Sequence, residues 1–168
     1  MLEFVRKLIH LSGLLYIPAY SFLGRDLLLL CLALILSIVF PLEYLRLKRG
    51  FLQELFRSYE KGRPAGYALY AVAIFLVTLF FSEKACYAAV ICSNLGDVVA
   101  AIFRKFGIAK VAMFVASALA SAAMNLGFSA ILAALASSMV EGGRIDDNLS
   151  IPIVAATVYE ASYLLVTT

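Results

Sequence analysis

Seven apolar runs occupy most of this sequence, and they limit the folds it can adopt. The runs cover residues 8–23, 27–45, 67–81, 85–103, 111–124, 128–140 and 151–166. A helix that crosses the hydrocarbon layer of a membrane needs about 20 residues, with about 17 as the lower limit. The first four runs and the last reach that length when interfacial residues are included, whereas the fifth and sixth are short. The pattern predicts an all-α, polytopic transmembrane helix bundle of about seven spans, or six if residues 108–140 cross only once.

The composition supports a membrane protein without a separate soluble domain. Hydrophobic residues make up 64% of the chain and charged residues only 15%, whereas a typical soluble domain is about half apolar and about a quarter charged. We therefore expect residues 1–168 to form a single integral membrane domain, in the cell membrane and in contact with membrane lipids. Helix ends and short loops must then carry any chemistry. A homo-oligomer is compatible with this class of protein.

The basic residues predict the orientation of the chain. If seven runs cross and the N-terminus is cytoplasmic, all 14 basic residues except Arg25 and Lys84 fall on the cytoplasmic side, as the positive-inside rule requires. The net charge of +3 then reflects topology, and no nucleic-acid partner is expected. Three cysteines without a CxxC pair and a single histidine exclude zinc sites and disulfide frameworks. The polar clusters all fall on the inner side, which predicts a cytoplasmic active face.

The longest loop, at about residues 47–63, has a pattern of its own. Its apolar residues recur at helical spacing and basic residues surround them. This pattern is typical of a short amphipathic helix that lies in the plane of the lipid headgroups.

Asp97 is a carboxylate inside the fourth apolar run. A charge near the centre of a bilayer costs about 2.5–3.5 kcal/mol on insertion scales, and membrane proteins seldom retain one without a use. A hydrogen bond between helices, made by the neutral acid, is the alternative interpretation. The polar residues predicted on the same side of the membrane favour a functional role.

Two of those polar groups lie in the first two runs. Arg6 and His10 are four residues apart and so share one helix face, with Lys7 beside them. Glu43 and Arg46 are three apart at the inner end of the second run, where an ion pair is the simplest interpretation.

A third group precedes the last run. Asp146, Asp147 and Asn148 stand just before it, and helix capping accounts for one of them but not for all three. Together with Asp97 they offer the oxygen ligands that Mg²⁺ prefers, usually one or two carboxylates plus substrate phosphates. Several basic residues could neutralise those phosphates: Arg6, Lys7, Arg46, Lys105 and Lys110.

In this order and spacing, the motifs resemble those of the polyprenol and lipid kinases. That family includes dolichol kinase, phytol kinase and CTP-dependent diacylglycerol kinase, and it is distantly similar to phosphatidate cytidylyltransferases. The matching segments are Arg6-Lys7-Leu-Ile-His10 with RKxxH, Glu43 and Arg46 with ExxR, Glu60-Lys61-Gly62 with Gly66, Gly96-Asp97 with Ala100-Ala101 and Phe106-Gly107, and residues 146–152 with DDNLTxP.

The resemblance implies a membrane-embedded kinase that transfers a phosphoryl group from a nucleotide triphosphate, with CTP the expected donor, to a polyprenol or diacylglycerol-type lipid alcohol. Mg²⁺ would be held by Asp97 and Asp147. Asp97 would be catalytic, and His10 or Asp146 would orient or deprotonate the hydroxyl. Residues expected to bind the nucleotide or its phosphates are Arg6, Lys7, Glu43, Arg46, Lys105, Gly107, Lys110 and Asn148.

Two features of the sequence keep other functions open. The family's K-S/T-x-E-G motif has no counterpart after Gly107, where Lys110 is the lysine available, and Glu160 lies within the last run, outside the family pattern. One alternative is a cytidylyltransferase that forms a CDP-lipid from the same parts. The other is a non-catalytic lipid-binding or transport protein on the same scaffold.

Overall fold

A computed structural model describes the backbone of residues 2–50 and 62–167, and the side chains of residues 7–50 and 62–166. The described part is helical, with short turns and no strand, so the predicted all-α class is confirmed. Most of the predicted interfacial segment, residues 51–61, lies outside the described residues. The helices are α1 (Leu2–Ser12), α2 (Tyr16–Arg49), α3 (Gly66–Phe80), α4 (Glu83–Val90), α5 (Asp97–Phe103), α6 (Ala109–Ala123), α7 (Phe128–Val140) and α8 (Asp147–Thr167).

Short irregular turns join some of these helices end to end. A 3₁₀ turn, Gly13–Leu15, links α1 to α2, and a π-helical turn, Ile91–Gly96, links α4 to α5. A second 3₁₀ turn, Arg104–Phe106, extends α5. The described residues therefore form six continuous helical segments.

Three of these segments are long and apolar enough to cross a membrane: Lys7–Arg49, Glu83–Phe106 and Asp147–Val166. The chain thus has the helices of a membrane protein, but the expectation of about seven spans is wrong. The first two apolar runs belong to one continuous helical segment. The third, fifth and sixth runs form α3, α6 and α7, which are apolar but only 15, 15 and 13 residues long.

A kink at Gly24 divides α2. The glycine has φ 70° and ψ 173°, a conformation that costs little only without a Cβ. Before the kink, Ser21 Oγ lies 2.9 Å from Tyr87 Oη of α4. After it, the Arg25 guanidinium donates to the Thr78 carbonyl of α3 at 3.0 Å. The kink therefore lies where α2 contacts both α3 and α4.

The core lies around α4 and α8. Residues 85–91 are all buried, and four of them are the small residues Ala85, Cys86, Ala88 and Ala89, each fully buried. Small side chains let neighbouring helices approach closely, and α8 packs against α3, α4 and α7. In contrast, α2 exposes large apolar side chains such as Phe22, as expected for a surface that faces lipid.

Glu160 contacts the N-terminus of α4. Its Oε2 accepts hydrogen bonds from the backbone N–H of Ser82 at 3.2 Å and from the Ser82 hydroxyl at 2.6 Å. A carboxylate at this position interacts favourably with the positive end of a helix dipole. This contact gives Glu160 a structural role, although the sequence places it inside an apolar run.

Gly13 is required by a close approach between the first 3₁₀ turn and the π turn. A Cβ at Gly13 would lie 2.4 Å from Asn94 Oδ1, and the Asn94 side chain is held by hydrogen bonds to Tyr70 and to the Val90 carbonyl. We expect Gly13→Ala to lower the free energy of unfolding by about 1–3 kcal/mol, the usual cost of overpacking.

The measurement is reversible unfolding in mixed detergent micelles. Gly62→Ala is the matched control, because a Cβ there meets no described atom within 4 Å. Equal stability of the two variants would show that the approach at Gly13 is not tight.

Candidate functional site

The π turn exposes a backbone carbonyl at the centre of the candidate site. In an α-helix the Ser93 carbonyl would accept from the backbone N–H of Asp97, but that N–H bonds to the Asn94 carbonyl instead. His10 Nε2 lies 2.7 Å from the Ser93 carbonyl oxygen. Since a carbonyl only accepts, Nε2 carries the hydrogen in this contact. Single π turns inside α-helices are frequent at functional sites.

The same contact brings His10 to Asp97. His10 Nε2 lies 3.6 Å from Asp97 Oδ2, and both side chains are about three-quarters buried. The imidazole ring also packs against the Tyr70 ring, with 5.7 Å between centroids. Two residues that the sequence predicts as catalytic, 87 positions apart, therefore occupy one site at the junction of α1 and α5.

Asn94 links the π turn to Tyr70, whose ring packs against His10. It is fully buried and donates from Nδ2 to Tyr70 Oη at 2.6 Å and to the Val90 carbonyl at 3.0 Å. Ser93 and Tyr70 were not among the residues predicted for the site. Ser93 contributes through its backbone and Tyr70 through a distant helix, so residue type alone gave no signal for either.

The acidic residues before the last run have separate roles. Asp146 Oδ1 accepts from the backbone N–H of Asn148 at 3.1 Å and from its side-chain Nδ2 at 2.9 Å, and so helps to begin α8. Asp147 accepts from the backbone N–H of Gly142 through both oxygens, at 3.1 and 3.2 Å. Capping thus accounts for Asp146, whereas the Asp147 carboxylate faces the turn after α7.

Arg104 connects the acidic groups of the two regions. Its guanidinium donates to Glu141 Oε1 at 2.7 Å, and it interacts electrostatically with both Asp97 and Asp147. Asp147 interacts in turn with Asp97 and Glu141. Arg104 and Glu141 are therefore in contact where α5 and α7 end, and Asp147 and Asp97 lie within electrostatic range of them; we call these four residues the charge cluster.

Arg104 and Glu141 were also not predicted as site residues. A signal was present in the sequence, because Arg104 lies two turns from Asp97 on the same helical segment and Glu141 follows an apolar run directly. Their pairing joins positions 37 apart, which a single sequence does not reveal.

Two residues predicted to bind Mg²⁺, Asp97 and Asp147, belong to the charge cluster. In the described part of the chain, no group of three or more His, Cys, Asp or Glu side chains could hold a metal ion. Mg²⁺ commonly takes only one or two carboxylates and completes its shell with phosphate and water oxygens. Asp97 and Asp147 would supply two carboxylates, and their role as Mg²⁺ ligands stays a prediction.

The basic residues predicted to bind phosphate are found in several places. Lys105 and Lys110 are exposed; the Lys110 ammonium donates to the Met139 carbonyl at 3.0 Å. Lys7 is half-buried in α1, and the side chain of Arg6 lies outside the described residues. Phosphate binding by these residues remains a prediction.

A cleft of about 330 Å³ opens beside the charge cluster. It lies where the segment after α5 turns into α6, at Gly107, which has φ 74°. Its lining consists of Arg104, residues 107–111 and Glu141. Two predicted residues, Gly107 and Lys110, therefore share a cavity with the Arg104–Glu141 pair.

Glu43 and Arg46 form the ion pair that the sequence predicts, and it is buried. Arg46 donates to both carboxylate oxygens of Glu43, at 2.8 and 2.6 Å, and to the Arg63 carbonyl. Glu43 also accepts from the Ala65 backbone N–H and from Tyr67 Oη. The pair fixes the chain that enters α3, and its predicted phosphate-binding role stays a prediction.

Gly66 brings the beginning of α3 against the beginning of α8. A Cβ on Gly66 would lie 2.6 Å from Asn148 Nδ2. Asn148 donates a hydrogen bond to Asp146, and Tyr67, the residue after Gly66, donates one to Glu43. The beginning of α3 therefore lies between the polar residues of α2 and those of α8.

Comparisons with protein-family models, with curated proteins and with solved structures found no match for this chain. Fold and site together define an all-α protein with three potential membrane-crossing helices and a charge cluster at one end.

The Glu43–Arg46 pair makes a direct prediction about stability. Arg46→Met leaves the Glu43 carboxylate buried without its cation, which typically costs about 3–5 kcal/mol. We expect a loss of that size in unfolding experiments in mixed micelles. Arg49→Met, at an exposed position three residues along the same helix, should change stability by less than about 0.5 kcal/mol. Similar losses in both variants would contradict a specific role for the buried pair.

Proposed function

We propose that this protein is a membrane-embedded lipid-alcohol kinase that uses a nucleotide triphosphate, with CTP as the expected donor. The observation that carries the proposal is that Asp97, Asp147 and the Arg104–Glu141 pair lie within electrostatic range of one another in an apolar bundle. Two acids and an arginine suit a phosphoryl-transfer site, where catalysis consists mainly of positioning and neutralising charge. An apolar bundle suits an acceptor that resides in the membrane.

The proposed reaction transfers the γ-phosphoryl group of the nucleotide to the hydroxyl oxygen of the acceptor. The acceptor hydroxyl oxygen forms a bond to the γ-phosphorus while the bond from that phosphorus to the bridging oxygen breaks, and the nucleoside diphosphate leaves. The hydroxyl proton passes to a base, for which His10 and Asp146 are the predicted candidates. Arg104, Lys105 and Lys110 offer positive charge to the phosphates. Mg²⁺, when bound at Asp97 and Asp147, would neutralise charge on the phosphate oxygens.

The product nucleotide is the test of this reaction. Purified protein in detergent is incubated with labelled CTP or ATP, Mg²⁺ and a panel of polyprenols, phytol-like alcohols and diacylglycerols. A kinase releases the nucleoside diphosphate and forms a lipid phosphate. Release of pyrophosphate with a CDP-lipid would identify a cytidylyltransferase. No nucleotide binding would favour the non-catalytic alternative and overturn the proposal.

Asp97→Asn is the variant that tests the metal-dependent step. The amide keeps the size of the side chain but removes the charge that attracts Mg²⁺, so we expect retained folding and loss of Mg²⁺-dependent turnover. Product formation and thermal unfolding are measured on the same preparation. Normal turnover by the folded variant would mean that Asp97 serves helix packing only.

Lys110 tests whether a lysine compensates for the missing K-S/T-x-E-G motif. Lysine acts as a point charge on a flexible chain, so a displacement of one or two residues is tolerable. Lys110→Ala should weaken nucleotide binding by about 1.5–3 kcal/mol, the contribution of a hydrogen bond to a charged group. Lys84→Ala, at the opposite end of the bundle, should leave the affinity unchanged. Equal affinity of wild type and Lys110→Ala, measured by calorimetry, would exclude this role.

We infer that the charge cluster faces the cytoplasm, because Arg104, Lys105 and Lys110 lie at or beside it and basic residues that flank membrane helices are concentrated on the cytoplasmic side. Single cysteines at Lys105 and Lys84, in a background with Cys31→Ser, would report the orientation in intact cells. We expect an impermeant thiol reagent to label the Lys84→Cys variant from outside and the Lys105→Cys variant only after permeabilisation. The reverse pattern would contradict the assignment.

A further inference from the structure

Polar contacts mark two opposite ends of the helix bundle. At the first end, the Lys110 ammonium donates to the Met139 carbonyl, so α6 begins where α7 ends. At the second end, Glu160 of α8 accepts two hydrogen bonds from Ser82, just before α4. Helix α8 connects the two ends, because it begins at Asp147, beside the turn after α7, and contains Glu160.

The length of α8 between its two contacts shows how far apart these ends are. Asp147 and Glu160 are 13 residues apart, which at 1.5 Å per residue is about 20 Å along the helix axis. Helices α3, α6 and α7 have 15, 15 and 13 residues, or about 20–22 Å. The hydrocarbon layer of a typical bilayer is about 30 Å thick. These helices are therefore about 8–10 Å shorter than that layer.

The turn between α6 and α7 lies at the second end and is exposed. Tyr159 Oη donates to the Leu126 carbonyl at 3.0 Å, and Tyr159 precedes Glu160 in α8. Asn125 and Gly127, on either side of Leu126, are exposed and have φ angles of 53° and 81°. Irregular backbone that faces lipid does not occur within the hydrocarbon layer, because its polar groups need partners. The turn must therefore reach the headgroup layer.

The outer surface of α6 and α7 is apolar, as a surface in contact with lipid chains should be. Val111, Val115 and Leu119 recur every four residues along α6 and are 45–67% exposed. Leu135 and Met139 are exposed on α7. We call this surface the α6–α7 face. It ends at the turn after about 22 Å, so a bilayer in contact with it has to be thin there.

We propose that the α6–α7 face binds phospholipids with short acyl chains, and that the bilayer beside it is thinned by about 8 Å. Thinning is one of the ways in which a bilayer adapts to a short apolar surface, and short acyl chains lower its cost. Helix α2 differs, because it exposes apolar side chains from Leu27 to Leu47, a length of about 30 Å that matches an ordinary bilayer. The selection of short chains is therefore local to one face.

Tryptophan fluorescence measures which lipids contact each face. The chain contains no tryptophan, so a single reporter is supplied by Val115→Trp in the middle of α6 or by Ile38→Trp in the apolar surface of α2, both at exposed positions. Each variant is reconstituted with a brominated 18-carbon phosphatidylcholine, which quenches tryptophan on contact, in competition with an unbrominated 14-carbon phosphatidylcholine. We expect the 14-carbon lipid to be preferred about fivefold at Val115→Trp and less than about twofold at Ile38→Trp.

Thiol labelling tests independently whether the turn reaches the headgroup layer. In a background with Cys31→Ser, where the remaining native cysteines are buried, single cysteines replace Asn125, Val115 or Lys84. The protein is placed in nanodiscs of 18-carbon phosphatidylcholine, so that a water-soluble maleimide reaches both faces. We expect Asn125→Cys to react about as fast as Lys84→Cys, at the same end of the bundle, and Val115→Cys to react about tenfold more slowly or less.

Two results would overturn the proposal. One is the same chain-length preference at Val115→Trp and Ile38→Trp, and the other is slow labelling of Asn125→Cys, which would put the turn inside the hydrocarbon layer. If Val115→Trp does not fold, Leu135→Trp reports the same face from α7. Neither measurement involves nucleotide or turnover, so this proposal and the proposed function fail separately.

Discussion

The hydrogen bond from His10 to the Ser93 carbonyl is the contact on which the arrangement of the site depends. In an apolar environment a backbone carbonyl without a partner is costly, and the π turn leaves this one without the N–H of Asp97. His10 supplies the missing donor at 2.7 Å. A local irregularity in the central helical segment therefore fixes α1 against it and places His10 beside Asp97.

Other buried polar groups also have hydrogen-bond partners, and these pairs lie at the ends of the bundle. At one end, Glu43 and Arg46 are buried together, and Arg104 pairs with Glu141. At the opposite end, Glu160 bonds to Ser82 at the beginning of α4. Between the ends, small residues such as those of α4 let the helices pack closely. Each of these carboxylates thus has a hydrogen-bond partner, and one end of the bundle carries two ion pairs.

The sequence predicted the class of the fold and several parts of the site. Apolar runs and helical spacing predicted an all-α membrane protein, and spacing predicted the Glu43–Arg46 pair. The number of spans was wrong because hydropathy does not report that the helical segment continues across residues 24–26, where a kink at Gly24 takes the place of a loop, nor that α3 is only 15 residues long. Long-range pairs such as Arg104–Glu141 were missed because they depend on how helices pack. The π turn at Ile91–Gly96 was not predicted, because a single turn is too short to change the spacing of apolar residues in a recognisable way.

Binding of Mn²⁺, a paramagnetic substitute for Mg²⁺, tests the central claim most directly. Electron paramagnetic resonance would count the ions bound in the presence of CTP. We expect one ion per chain in wild type and in Asp26→Asn, a control at the far end of the bundle, and none in Asp97→Asn or Asp147→Asn. An unchanged ion in either of the last two variants would show that the two carboxylates do not form one metal site, and would contradict the account.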